Sequence, residues 1–125
     1  ERETGAAAAQ LAARLWRDTR RKPLLSSFQP ASLESARIAA PELDRGYLTD
    51  RISAGWDEIA RGLGCASVHC NCAHLTGEQA EKIRDAGYWL ACYTVNDPEI
   101  ARRLFSWGVN AVFTDRLDLI PPGFG

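Results

Sequence analysis

The chain has 125 residues, of which 46% are hydrophobic, and its 15 basic and 16 acidic residues leave a formal net charge of −1. Length and hydrophobic fraction bound it to one soluble globular domain with a real core, and the cancelled charge gives no support to a nucleic-acid or acidic-lipid partner. No run approaches the roughly 18 apolar residues of a membrane span, and the first residues lack the basic, apolar, small-residue order of a signal peptide.

Residues 4–21 read as an amphipathic helix, with Ala8, Leu11, Ala12, Leu15 and Trp16 on one face, arginines on the other, and Arg20-Arg21-Lys22 as its basic last turn. Pro23 stops it, and Leu24-Leu25-Ser26-Ser27-Phe28 follows as a short strand. Pro30 suits the first turn of a second helix over 31–40, closed by Pro41. A short strand is predicted over 45–48, then a helix over 55–63 through Trp56, Ile59, Ala60 and Leu63.

The second half repeats this grammar. Residues 65–71 read as a strand, and Thr76-Gly77-Glu78-Gln79 has capping-box spacing before a helix through Ala80, Ile83 and Ala86 to Gly87. A strand over 88–95 precedes Asp97-Pro98, which opens a helix running to Trp107 and Gly108. Residues 110–114 form the last predicted strand, and 115–120 a short final helix before Pro121-Pro122.

The helix-ending glycines at 64, 87 and 108 lie 23 and 21 residues apart, the period of a compact βα unit. Trp89-Leu90-Ala91-Cys92-Tyr93 and Ala111-Val112-Phe113 are apolar on both faces, as strands buried between helices in a parallel sheet are. The pattern is α/β, written α(βα)5, over a single domain spanning 1–125.

In parallel α/β architectures, active groups sit where strands end and βα loops begin. Those ends carry Ser26-Ser27-Phe28, Thr49-Asp50, His69 with Asn71, Tyr93-Thr94-Asn96 and Thr114-Asp115. Short polar groups also cap helices, which is the plainer reading of Asp97, Thr76 and Asp115.

The densest group of potential ligands is Val68-His69-Cys70-Asn71-Cys72-Ala73-His74. Alternation along a strand sends His69 and Asn71 to one face and Cys70 and Cys72 to the other, and the spacing of zinc-ligand pairs is absent. The two cysteines read as small apolar residues under a helix, while His69 reads equally as a satisfied core histidine or a pocket group. Four cysteines are too few for a disulfide scaffold, so reduced thiols in a cytoplasmic protein are expected. No glycine-rich phosphate loop, G-x-S-x-G or H-E-x-x-H is present. Ser27, His69 and Asp115 form a Ser-His-Asp set on paper, but Ser27 lacks the nucleophile-elbow context.

Taken in order, Leu24 to Phe28, Ala40-Pro41-Glu42-Leu43-Asp44-Arg45-Gly46, Ser67-Val68-His69, Asp85-Ala86-Gly87, Tyr93-Thr94-Val95-Asn96 and Thr114-Asp115 resemble the C-terminal half of bacterial glycerophosphodiester phosphodiesterases. The resemblance covers nearly the whole chain. It implies a partial TIM barrel holding about the last five of eight strands. It also implies an enzyme that hydrolyses glycerophosphodiesters to an alcohol and sn-glycerol 3-phosphate, in lipid and glycerol metabolism, with a divalent cation, magnesium or calcium. The family's metal carboxylates, paired catalytic histidines and phosphate-binding arginine and lysine belong to the first half, so no catalytic or metal residue is carried over to this chain. What carries over is a pocket wall: Phe28 and Tyr93 as apolar faces for the glycerol moiety, with Ser27, His69 and Asn96 as polar groups. The family often has tryptophan where Tyr93 stands.

On that resemblance the isolated chain is expected to be inactive, its length matching half of a barrel of ~250 residues. The absence of methionine is the expected mark of a chain cut from a longer polypeptide. A competing reading is a non-catalytic module that self-assembles as a homo-oligomer through open barrel edges. A flavodoxin-like receiver is disfavoured, because no acidic cluster follows Phe28.

Overall fold

The structure is a computed structural model and describes residues 1–124. Five helices alternate with five strands: α1 (Arg2–Leu15), β1 (Leu25–Ser27), α2 (Pro30–Ala39), β2 (Arg45–Thr49), α3 (Trp56–Gly62), β3 (Ser67–Asn71), α4 (Gly77–Asp85), β4 (Trp89–Tyr93), α5 (Pro98–Ser106) and β5 (Ala111–Val112). The strands form one sheet in the order β1-β2-β3-β4-β5, with parallel pairing that sets Leu25 beside Arg45 and Cys92 beside Val112. The βα grammar of the sequence is therefore the grammar of the fold. The chain divides into two compact units, Glu1–Leu48 with Ala54–Ser67, and Thr49–Ser53 with the described residues from Val68 onward.

In the first unit, α1 packs on α2 through small side chains. Ala9 and Ala12 meet Ala36, Ala40 and Leu43 in a buried cluster, and a methyl group added at Gly5 would stand 2.2 Å from the Ser32 carbonyl oxygen. Of the apolar stripe expected on one face, Ala12 is buried, whereas Leu11, Leu15 and Trp16 are exposed. Two backbones this close leave no room for leucine or tryptophan between them, so the glycine and alanine positions define the buried face. The helix also ends at Leu15, six residues before its expected end, and Arg20-Arg21-Lys22 is not helical. Lys22 reaches back instead, its Nζ donating to the carbonyl oxygens of Trp16 at 2.6 Å and Arg17 at 2.7 Å, groups that the end of the helix leaves open.

In the second unit the local signals act as written. Thr76 Oγ1 accepts from the Gln79 amide at 3.2 Å, and Gln79 Oε1 accepts from the Thr76 amide at 3.0 Å, a reciprocal capping box at the start of α4. Asp97 Oδ1 accepts from the Glu99 amide at 2.9 Å with Pro98 in the first turn of α5. Gly87 and Gly108 end α4 and α5 at φ +93° and +89°, a left-handed backbone that costs other residues energy. Thr76→Ala removes one side of the capping box and is expected to destabilise the chain by about 1 kcal/mol, read from the urea midpoint at 222 nm.

Two expectations change here. Residues 115–120 form a single turn, with the Leu119 and Ile120 amides donating to the Arg116 carbonyl at 3.0 and 2.9 Å, rather than a sixth helix. Thr114 Oγ1 accepts from the Arg116 amide and Asn96 Oδ1 from that of Asp115, which ties the start of this segment to the loop after β4. The last strand also shrinks to Ala111–Val112, and Trp89 and Phe113 are exposed, so the outer ends of β4 and β5 are not buried on both faces.

Candidate functional site

The C-terminal strand ends of the second unit hold a connected polar network. Asn71 ends β3, and its side chain does two things: Oδ1 accepts from the Ala73 amide at 2.9 Å, capping a 3-10 turn over Cys72–His74, and Nδ2 donates to Asp50 Oδ1 at 2.9 Å. That turn swings His74 toward the same carboxylate, with Nε2 3.6 Å from Asp50 Oδ2. Tyr93, the last residue of β4, donates its hydroxyl to the Thr49 carbonyl at 2.9 Å. Burial, followed by the Asp50 charge, pushes the Tyr93 hydroxyl above its ordinary pKa, so it stays a proton donor at neutral pH. The Tyr93–Thr94 peptide bond is cis.

Next along the rim, Asn96 Oδ1 accepts from Thr114 Oγ1 at 3.1 Å and from the Asp115 amide at 2.9 Å. A single amide oxygen thus fixes the loop after β5 against the loop after β4. His69 lies deeper, on the middle of β3, 5% exposed with its ring 5.6 Å from that of Phe113 and tilted by 51°. Its burial favours the neutral imidazole and lowers its pKa.

That shift has a measurable sign. An unfolded chain binds a proton at His69 near pH 6.5, whereas the folded chain resists it, so the unfolded state carries more protons and stability falls as pH drops below about 6.5. The loss levels off once the pH passes below the depressed native value. His69→Asn is expected to flatten the 5–6.5 segment of the plot of urea midpoint against pH, and an unchanged slope would count against the burial of a neutral ring.

Ser27 and Phe28 belong to the first unit. Ser27 Oγ accepts from the Gln29 amide at 3.0 Å, closing the turn from β1 into α2, and the Phe28 ring is 52% exposed. Of the five residues expected to line a pocket, Tyr93, His69 and Asn96 therefore share one compact unit, and Ser27 and Phe28 share the other. Four of them end or follow a strand, and His69 lies in the middle of β3.

Sequence reasoning missed two features of this rim. His74 was visible only as a possible zinc ligand, because its approach to Asp50 depends on a 3-10 turn that strand alternation does not foresee. Phe113 was assigned to the buried sheet, but β5 ends before it and its ring faces His69. β3 ends at Asn71 as expected, so strand alternation does not reach Cys72, which opens the 3-10 turn, half-buried, with Sγ 3.6 Å from the Thr94 carbonyl oxygen. Cys70 is fully buried, as its strand position implies.

The titratable groups do not converge on a cation. Among the described residues no three His, Cys, Asp or Glu side chains are placed to hold a metal ion. Asp50 is engaged by Asn71, His74 and, at 3.8 Å, Arg51. These residues do not fit a catalytic divalent cation.

Comparison with known proteins gives the geometry its context. The chain is 30% identical to an Oleispira antarctica phosphodiesterase solved in complex with the product sn-glycerol-3-phosphate, superposing with a TM-score of 0.81 over 90% of this chain and 47% of that one. It is 25% identical to a glycerophosphodiester phosphodiesterase from Thermotoga maritima, with a TM-score of 0.72 over 95% of this chain and 52% of that one. It is also 31% identical over 94 residues to the Bacillus subtilis protein YqiK, covering 74% of this chain and 39% of that protein. The chain spans about half the length of the solved structures it matches, which agrees with a partial TIM barrel. The glycerophosphoryl diester phosphodiesterase family matches residues 2–119, from α1 through the turn after β5, and the chain belongs to that family.

Proposed function

We propose that this chain supplies the C-terminal part of a glycerophosphodiester phosphodiesterase, an enzyme that hydrolyses glycerophosphodiesters to an alcohol and sn-glycerol 3-phosphate in lipid and glycerol metabolism. The observation that carries the reading is the family match over residues 2–119. Within it, Phe28 and Tyr93 are assigned as apolar contacts for the glycerol moiety, and Ser27, His69 and Asn96 as polar residues of the substrate region. The exposed Phe28 ring and the Tyr93 hydroxyl anchored on Thr49 support those roles. His69 acts from beneath the rim, as its burial leaves it little direct access to substrate.

The divalent cation of the whole enzyme, magnesium or calcium, is held by residues outside this chain. The 125 residues alone are therefore inactive. Four free cysteines accord with a cytoplasmic protein.

The test compares the pure chain with a chimera in which the first half of the Thermotoga maritima enzyme precedes residue 1, both given glycerophosphocholine and magnesium or calcium. Turnover by the chimera and none by the chain is expected. Turnover by the chain alone overturns its inactivity, and a folded chimera without turnover overturns the function.

A second reading has its own support. β1 and β5 end the order of the sheet, so each presents an edge with no further strand among the described residues, and such edges favour pairing with another copy. Size-exclusion chromatography with light scattering is expected to give a dimer at micromolar concentration, and a monomer throughout would remove this reading.

A further inference from the structure

Cys70 and Cys92 sit on adjacent strands with their sulfur atoms 4.0 Å apart, both thiols fully buried and both reduced. The pocket wall uses neither. A disulfide requires Cα atoms 4.4–6.8 Å apart and sulfurs at about 2.05 Å. Neighbouring strands lie about 4.8 Å apart, inside the first limit, and the sulfurs already stand 4.0 Å from each other. Cys72 differs in kind, lying on a turn with its Sγ directed to the Thr94 carbonyl, and Cys65 belongs to the other unit.

We propose that Cys70 and Cys92 form a dithiol oxidation site, converted to an intramolecular disulfide by small neutral two-electron oxidants such as a diazenedicarboxamide. The reaction proceeds in two steps. One thiol adds across the N=N bond, forming an S–N bond while its proton passes to the second nitrogen. The other thiol attacks that sulfur, the S–S bond forms, the S–N bond breaks, and the second proton goes to the departing nitrogen. Two S–H bonds become one S–S bond, and the diazene leaves as its hydrazine with both electrons.

Burial sets the kinetics. The hydrogen bond between the two thiols, followed by desolvation, holds the Cys92 thiol well above the ordinary range, while the same bond lowers that of Cys70, so Cys70 is the one that supplies the reactive thiolate. Both sulfurs are closed to reagents in the folded chain, so oxidation waits on local opening of β3 and β4, and is slower than alkylation of the half-buried Cys72. The resulting link joins neighbouring strands and spans α4. It ties the second unit together and is reversed by dithiothreitol.

The test treats the folded chain with diamide, quenches with acid, alkylates the remaining thiols and maps the tryptic peptides. Cys65, Cys70 and Cys72 share the tryptic peptide 62–82, and Cys92 lies in 85–102, so tandem fragmentation assigns the bond. The expected result is loss of two of the four thiols per chain, a Cys70–Cys92 link, full recovery of thiols with dithiothreitol, and the same link in Cys72→Ser. Four thiols surviving prolonged oxidation overturn the proposal, as does a link through Cys65 or Cys72 or between chains. Cys92→Ser, where it folds, is expected to abolish the intramolecular link. The wild-type and Cys72→Ser maps decide the question if it does not.

Discussion

Replacing Arg45 with methionine is expected to destabilise the chain by about 3 kcal/mol, with a lower urea midpoint and little change in slope. Arg45 opens β2 and is only 7% exposed. Its guanidinium donates to three carbonyl oxygens: Leu43 through Nη1 at 2.7 Å, Leu63 through Nε at 3.1 Å and Gly64 through Nη2 at 3.2 Å. Two of these acceptors lie just past the end of α3, where backbone carbonyls lack helical partners and carry the negative end of the dipole. Methionine fills similar volume but satisfies none of them, and each buried acceptor left open costs about 1–3 kcal/mol before water recovers part of it. Arg45→Lys is expected to fall between, since a compact ammonium cannot spread over three carbonyls in the fork that guanidinium provides. A loss below about 1 kcal/mol would mean that water replaces the guanidinium at no cost.

Leu90→Ala is expected to cost about 3 kcal/mol, within the 2–5 kcal/mol range of buried leucine truncations. Leu90 lies inside β4 and is fully buried. Its backbone is clamped from both sides: the amide donates to Asn110 Oδ1 at 2.9 Å and the carbonyl accepts from the Asn110 amide at 2.8 Å. With the strand held in place at that residue, the surroundings collapse poorly into the space left by the lost carbons, and both the transfer and cavity penalties apply. Leu117→Ala makes the control, because that side chain is 63% exposed and the same truncation should fall within about 0.5 kcal/mol of zero. Hydrogen exchange should show the Leu90→Ala loss among the amides of β4 and β5, which belong to the same compact unit.

The legible parts of this protein were those whose signals act over a few residues. Gly87 and Gly108 adopt left-handed backbone, Thr76 and Gln79 cap each other, and Asp97 caps α5 beside Pro98. Each rests on φ/ψ preferences or a side-chain reach of three residues, and these are encoded locally. The order of the strands, β1 to β5 in sequence, agrees with the partial TIM barrel that the resemblance implies.

The failures have one cause. The buried face of α1 was read from its largest apolar residues, but close approach to α2 at Gly5 and Ser32 makes size a liability, so Ala9 and Ala12 are inside and Leu11, Leu15 and Trp16 are not. The helix expected over 115–120 had suitable residues, yet Asn96, on the loop after β4, holds the Thr114 hydroxyl and the Asp115 amide and sets the path of the chain there. In both places a partner distant in sequence outweighed a local preference worth a few tenths of a kcal/mol per residue.

By itself, then, the sequence determined the α/β alternation, the family resemblance and the strand ends that carry Ser27, Phe28, Tyr93 and Asn96, since period, caps and terminating glycines are properties of neighbouring residues. The tertiary structure alone decided which groups meet at those ends. Asp50 with Asn71 and His74, Tyr93 with Thr49, His69 with Phe113 and Cys70 with Cys92 are pairings in which at least one partner lies far along the chain. Their separations are fixed by strand pairing and by where each strand stops, and neither is written in the residues that make the contact.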